Sequence, residues 1–76
     1  MKTNNILFIE LDFINDLEKE TSYKALINVN NIVSIWVNDY GFTDIRVAAT
    51  DYLGEHSTLN TLEEIKEMIM KGGEHG

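Results

Sequence analysis

The sequence predicts a small α+β domain: an antiparallel sheet of four to five strands, with one C-terminal amphipathic helix packed on one face. Three observations carry this. Apolar residues alternate at period two through Ile6–Phe13, Ile32–Val37 and Phe42–Thr50. Clusters of Asn, Asp and Gly separate these runs. Only after Thr61 does the apolar spacing lengthen to that of a helix.

In Ile6–Phe13, Leu7, Ile9, Leu11 and Phe13 share one face, while Ile6, Phe8, Glu10 and Asp12 share the other. Ile14–Tyr23 is polar and reads as a loop or an open hairpin connection, with a single helical turn at Asp16–Glu20 as the alternative, too short to stand as a helix alone. Lys24–Asn28 forms a second short strand. Asn28, Asn30 and Asn31 then favour a bend, because Asn bonds its own backbone and tolerates turn geometry. One long bent strand is the alternative. Ile32–Val37 is the third strand, with Ile32, Ser34 and Trp36 on one side. Asn38–Gly41 is a turn in which Gly41 supplies positive φ. Phe42–Thr50 is the fourth strand, and Asp51–Gly54 reads as a second turn. Glu55–Leu59, mostly polar, reads as a fifth strand near an edge.

Thr61 and Glu64 stand in the capping-box relation. Leu62, Ile65, Met68 and Ile69 form the apolar stripe of the helix that follows, and Gly72-Gly73 reads as its stop. The chain is expected to form a single domain over residues 1–76, with 1–5 and 72–76 as frayed tails.

Composition narrows the function classes. The chain has 76 residues, 43% of them hydrophobic, and no cysteine. Disulfides, cysteine-based zinc sites and cysteine nucleophiles are therefore excluded. So small a domain buries a modest share of its surface, and association with further copies of itself is expected to make up the difference. Thirteen acidic and six basic residues leave a net charge of −7, which argues against direct nucleic-acid binding. A solvated acidic surface or a basic partner fits better. The apolar run Ile6–Ile9 is cut short by Glu10, too soon for a signal peptide or a membrane span. The expected location is the cytoplasm, that of the host if the chain is phage-encoded.

Few residues suggest chemistry. His56 has Asp51 and Glu55 nearby in sequence, but no nucleophile motif surrounds it, and Ser57 points to the opposite strand face. No calcium-loop, zinc or phosphate-loop spacing is present. No enzyme activity, metal or cofactor is expected. The aromatic residues suggest binding instead. Trp36, Arg46, Tyr52 and Phe8 could form one outer patch, suited to a protein partner or to stacking a nucleobase. Burial of Trp36 in a core formed on both sides of the sheet is the alternative. One helix covers one face, so apolar residues on both faces imply a second cover, most simply another copy of the chain.

Ile27-Asn28 and Ile32 about the bend, Gly54, and Thr61–Ile65 leading the closing helix resemble the small FlbD-like flagellar and swarming-motility proteins. The charged first loop departs from the tight glycine turn of that family. The resemblance implies a cytoplasmic regulatory adaptor acting through protein–protein contacts. The composition is similar to that of small acidic bacteriophage accessory proteins, which inhibit or sequester a host component.

The leading expectation is a non-catalytic, self-associating binding protein of the phage anti-defence type. It would inhibit a host protein or sequester a small nucleotide-like ligand. The candidate binding residues are Trp36, Arg46, Tyr52, Phe8, Tyr40 and His56, and the candidate oligomer interface is Ile6, Phe8, Ile32 and Trp36. Neither direct nucleic-acid nor membrane binding is expected. The FlbD-like motility adaptor is the alternative.

Overall fold

The computed structural model describes residues 7–75. Strands β1 (Phe8–Asp16) and β2 (Thr21–Asn28) form a hairpin, and a 3-10 turn (Val29–Asn31) leads on from it. Strands β3 (Ile32–Val37), β4 (Thr43–Ala49) and β5 (Tyr52–Thr58) form a meander, and helix α1 (Leu62–His75) closes the chain. All pairings are antiparallel, in the order β2-β1-β5-β4-β3.

The first hairpin closes tightly without glycine. Asp16 Oδ1 accepts from the backbone N–H of Glu18 and of Lys19, at 3.0 and 3.3 Å, and Glu20 takes the left-handed conformation at φ 56°. The side-chain bonds hold a turn that Gly would otherwise mark, so both strands extend into the polar segment that reads as a loop. The bend after β2 is capped by Asn28, whose Oδ1 accepts from the N–H of Asn30 at 2.9 Å. Asn38 organises the β3–β4 turn: its Oδ1 accepts from the N–H of Tyr40 and of Phe42, and Gly41 adopts φ 88°.

Three expectations are corrected. The β4–β5 connection is Thr50-Asp51, and Gly54 lies within β5 rather than in a turn. Strand β5 is interior to the sheet rather than at its edge. Its polar residues survive there because they find cross-strand partners: Ser57 Oγ donates to Asp44 at 2.6 Å, Arg46 pairs with Glu55 at 3.0 Å, and buried Thr58 donates to the carbonyl of Thr43 at 3.1 Å. The helix continues through Gly72 and Gly73 to His75. Gly72 serves packing, because a Cβ there would strike the side chain of Leu7.

β1 and β5 share one bridge, Phe13 with Thr58. Just beyond it, the N–H of Leu59 bonds the carbonyl of Asp12, and the N–H of Asp12 bonds Asn60 Oδ1, each at 2.8 Å. The sheet is thus hinged into a hairpin and a meander. Ile9, Leu11 and Phe13 from β1, Ile45 and Val47 from β4, and Ile65 from α1 form one buried cluster. Leu11, Ile45 and Ile65 are fully buried. Each contributes about 1.5–3 kcal/mol by leaving water. Met68 and Ile69 pack against the cluster from the helix. The helix start has the expected reciprocal cap: the Glu64 N–H donates to Thr61 Oγ1 at 3.0 Å, and the Thr61 N–H donates to Glu64 Oε1 at 2.9 Å.

A bulge decides what β3 presents. Ile32 stands opposite Val47, but Ser34 stands opposite Arg46, so the register slips by one between them. Ile32 therefore faces the core, while Ser34 and Trp36 share the opposite side with Arg46 and Asp44. The common face expected for Ile32 and Trp36 does not form. Ile6 lies outside the described residues.

Candidate functional site

In β5, Tyr52, Gly54 and His56 project to one side, because strand side chains alternate. Tyr52 lies across bare Gly54, where a Cβ would collide with its ring. Its phenol reaches His56 Nε2 at 2.6 Å, and the two rings stack with centroids 6.1 Å apart. His56 in turn meets Phe13 in a T-shaped contact with centroids 5.6 Å apart, and Phe13 stacks on Tyr23 with centroids 5.7 Å apart. Tyr23, Phe13, His56 and Tyr52 thus form a continuous run of four rings across β2, β1 and β5. Glycine at position 54 is what lets the last two rings meet.

Two cavities adjoin His56. The first, of about 310 Å³, opens where the hairpin and the meander diverge. Phe8, Leu26 and Ile27 line it from the hairpin side. Val47, Ala49, Tyr52 and His56 line it from the meander, and Asn28 and Asn31 supply polar groups at the bend. Phe8 is 53% exposed, Tyr52 49% and Leu26 65%, so the walls are open to solvent. Among the described residues, none that lines it is charged. The second cavity, of about 540 Å³, lies by the Asn38 turn and is polar. It is lined by Tyr40, Asp39, Asp44, Glu55 and Ser57, with Ile14 and Leu17 from the first hairpin. Asp44 is engaged there: Oδ1 accepts from Asn38 Nδ2 at 2.9 Å as well as from Ser57.

The structure divides the sequence-predicted residues into groups. Phe8, Tyr52 and His56 converge on the apolar cavity, whereas Tyr40 meets His56 only across the polar one. Trp36, half-buried, and Arg46 occupy another surface, the β3–β4 face with Asp44. The single patch of Trp36, Arg46, Tyr52 and Phe8 is therefore not assembled. Arg46 is occupied by Glu55, with Nε at 3.1 Å and Nη2 at 3.0 Å from Oε2. Leu26, Asn28, Asn31, Phe13 and Tyr23 were not among the expected site residues. The spacing Tyr-x-Gly-x-His carries the signal for the ring run once residues 52–58 are read as a strand; reading Gly54 as a turn hides it.

Chemically the arrangement offers stacking surfaces, apolar walls and a few hydrogen-bonding groups. Ser57 lies on the strand face opposite His56 and donates to Asp44. Among the described residues, no three His, Cys, Asp or Glu side chains come together to hold a metal ion. No described helix is long and apolar enough to cross a membrane. Searches of family models, curated proteins and solved structures find no match to the chain.

Proposed function

We propose that this chain is a non-catalytic, self-associating binding protein that takes up a small, planar, uncharged ring system, such as the base or nucleoside part of a nucleotide-like ligand. The binding place is the apolar cavity between Phe8, Leu26 and Tyr52. The observation that carries this is the convergence of Phe8 with Tyr52 and His56, 44 and 48 positions away in sequence, on one concave apolar site with a few polar groups at its rim. Stacking on Tyr52 and bonds to Asn28 and Asn31 suit a heteroaromatic ring. The uncharged lining and the net charge of −7 disfavour phosphate inside the cavity, so the recognised part is the base. Sequestration of such a ligand is the role that the likeness to small acidic phage accessory proteins suggests.

The test is a thermal-shift panel of nucleobases, nucleosides and nucleotides. Ligand at 100-fold over its Kd stabilises by about 2.7 kcal/mol. In a domain of this size that raises Tm by roughly 10 °C or more. Tyr52→Ala should abolish the shift. A panel without any shift, or a full shift in Tyr52→Ala, sinks the proposal.

A second reading, a motility-type adaptor, is favoured by the Asn28-capped bend between β2 and β3, which falls where the FlbD-like pattern has its bend. It predicts a co-purifying protein target and no ligand shift.

A further inference from the structure

We infer that the self-association surface is the open edge of β3, and that two copies of this chain pair β3 against β3 in antiparallel fashion to continue one sheet across both. This rests on the self-associating reading above and names its surface.

Among the described residues the sheet ends at β2 on one side and β3 on the other. Each terminal strand offers unpaired backbone groups along its outer edge, a template for another strand. The two edges differ in chemistry. β2 carries Lys24, an exposed cation of the kind that keeps an edge from pairing. β3 reads Ile-Val-Ser-Ile-Trp-Val and carries no charge. It sits in the longest uncharged run of the chain, the 14 residues from Ala25 to Asn38.

Given self-association, that run selects the surface. A chain of net charge −7 repels its own copies wherever its acidic surfaces meet. At the β3 edge, neutral strand meets neutral strand and the repulsion is least. A two-fold axis relates identical edges only in the antiparallel sense, so the pairing is closed at two copies and leaves each β2 edge outermost. The bulge lies at the start of β3; Ser34–Val37 keeps regular register with Arg46–Thr43 and is the segment free to extend the ladder. Val33 is 62% exposed and Val37 52%, and both would be covered at the seam. Trp36, on the face with Asp44 and Arg46, flanks it as an aromatic anchor.

The experiment compares Ser34→Lys with Ser22→Lys, both at exposed positions, by sedimentation over a concentration series, with circular dichroism to confirm folding. The wild type should form a dimer. Ser34→Lys should weaken it by roughly tenfold or more, a shift read directly from the dissociation constant. Ser22→Lys, on the opposite edge, should leave it unchanged. Hydrogen exchange on the wild type supplies an independent reading: the amides of Ser34–Val37 should gain protection as concentration rises, while those of β2 should not. A dimer equally strong in Ser34→Lys, with no concentration-dependent protection in β3, overturns the edge assignment and leaves self-association standing. A wild type that stays monomeric at every concentration removes both.

Discussion

The two cavities on either side of His56 are built from opposite materials. In the polar one, side chains are bound to each other: Asp44 holds Asn38 and Ser57, and Asn38 in turn holds the backbone of its turn. In the apolar one, Phe8, Leu26 and Tyr52 stay largely exposed. The first therefore works as framework, joining the β3–β4 turn to β5. The second has no charged group in its lining among the described residues, so its exposed apolar walls are what it offers a ligand. Volume misleads here, because the larger cavity is the one in which Asn38, Asp44 and Ser57 are already bound to one another.

The contrast makes ordered predictions. Asp44→Ala should have the largest effect. It removes one acceptor and strands two partly buried donors, Asn38 Nδ2 and Ser57 Oγ, at a cost of about 1–3 kcal/mol in denaturant unfolding. Ligand binding in the apolar cavity should persist wherever the variant remains folded. Gly54→Ala should have a smaller effect on stability. The new methyl displaces the far end of a flexible, half-exposed Tyr52, so the loss is near that of one hydrogen bond, about 0.5–1.5 kcal/mol. Its effect on ligand-induced stabilisation should be large, because the ring is the stacking surface. If Gly54→Ala destabilises the fold as much as Asp44→Ala, the apolar mouth is framework too and the contrast collapses.

The smallest effect concerns the edge of the hairpin. The Lys24 ammonium donates to Asp12 Oδ1 at 2.7 Å, and that bond together with the carboxylate charge raises the lysine pKa above its ordinary value. A group whose pKa is raised on folding stabilises the native state below its unfolded pKa, and the contribution fades as pH rises through the folded value. Stability should therefore be flat near neutrality and fall slightly in strong alkali. Lys24→Met should remove that component of the alkaline slope. The pair is exposed, so the change in melting temperature at neutral pH should be close to the limit of detection. An appreciable loss at neutral pH would show that the hairpin depends on the ion pair, as the meander depends on Asp44.

Much of the fold was legible because its signals are local. Alternation over a few residues marked β3 and β4, and the Asn38–Gly41 turn needed only its own side chain and a left-handed glycine. The helix cap needed two residues three apart. The hairpin of β1 and β2 was harder to read, because Asp16 and a left-handed Glu20 close it without glycine. The site was legible in part: Phe8 and Tyr52 were expected on one patch, but together with Trp36 and Arg46, which lie on another surface, and without His56, which joins them in the structure.

Sequence alone therefore determined the order and type of the elements, the helix cap and the neutral stretch that becomes the β3 edge. These follow from backbone hydrogen bonding, side-chain period and charge within short windows. Tertiary structure decided which faces meet. Strand order set β5 inside the sheet, and pairing alone makes that choice. A register slip between Ile32 and Ser34 turned Ile32 into the core, since one extra residue in a strand inverts the side on which all that follows lies. The divergence of β1 from β5 beyond one bridge brought Phe8 to Tyr52 across 44 positions of chain, a meeting that no local pattern encodes.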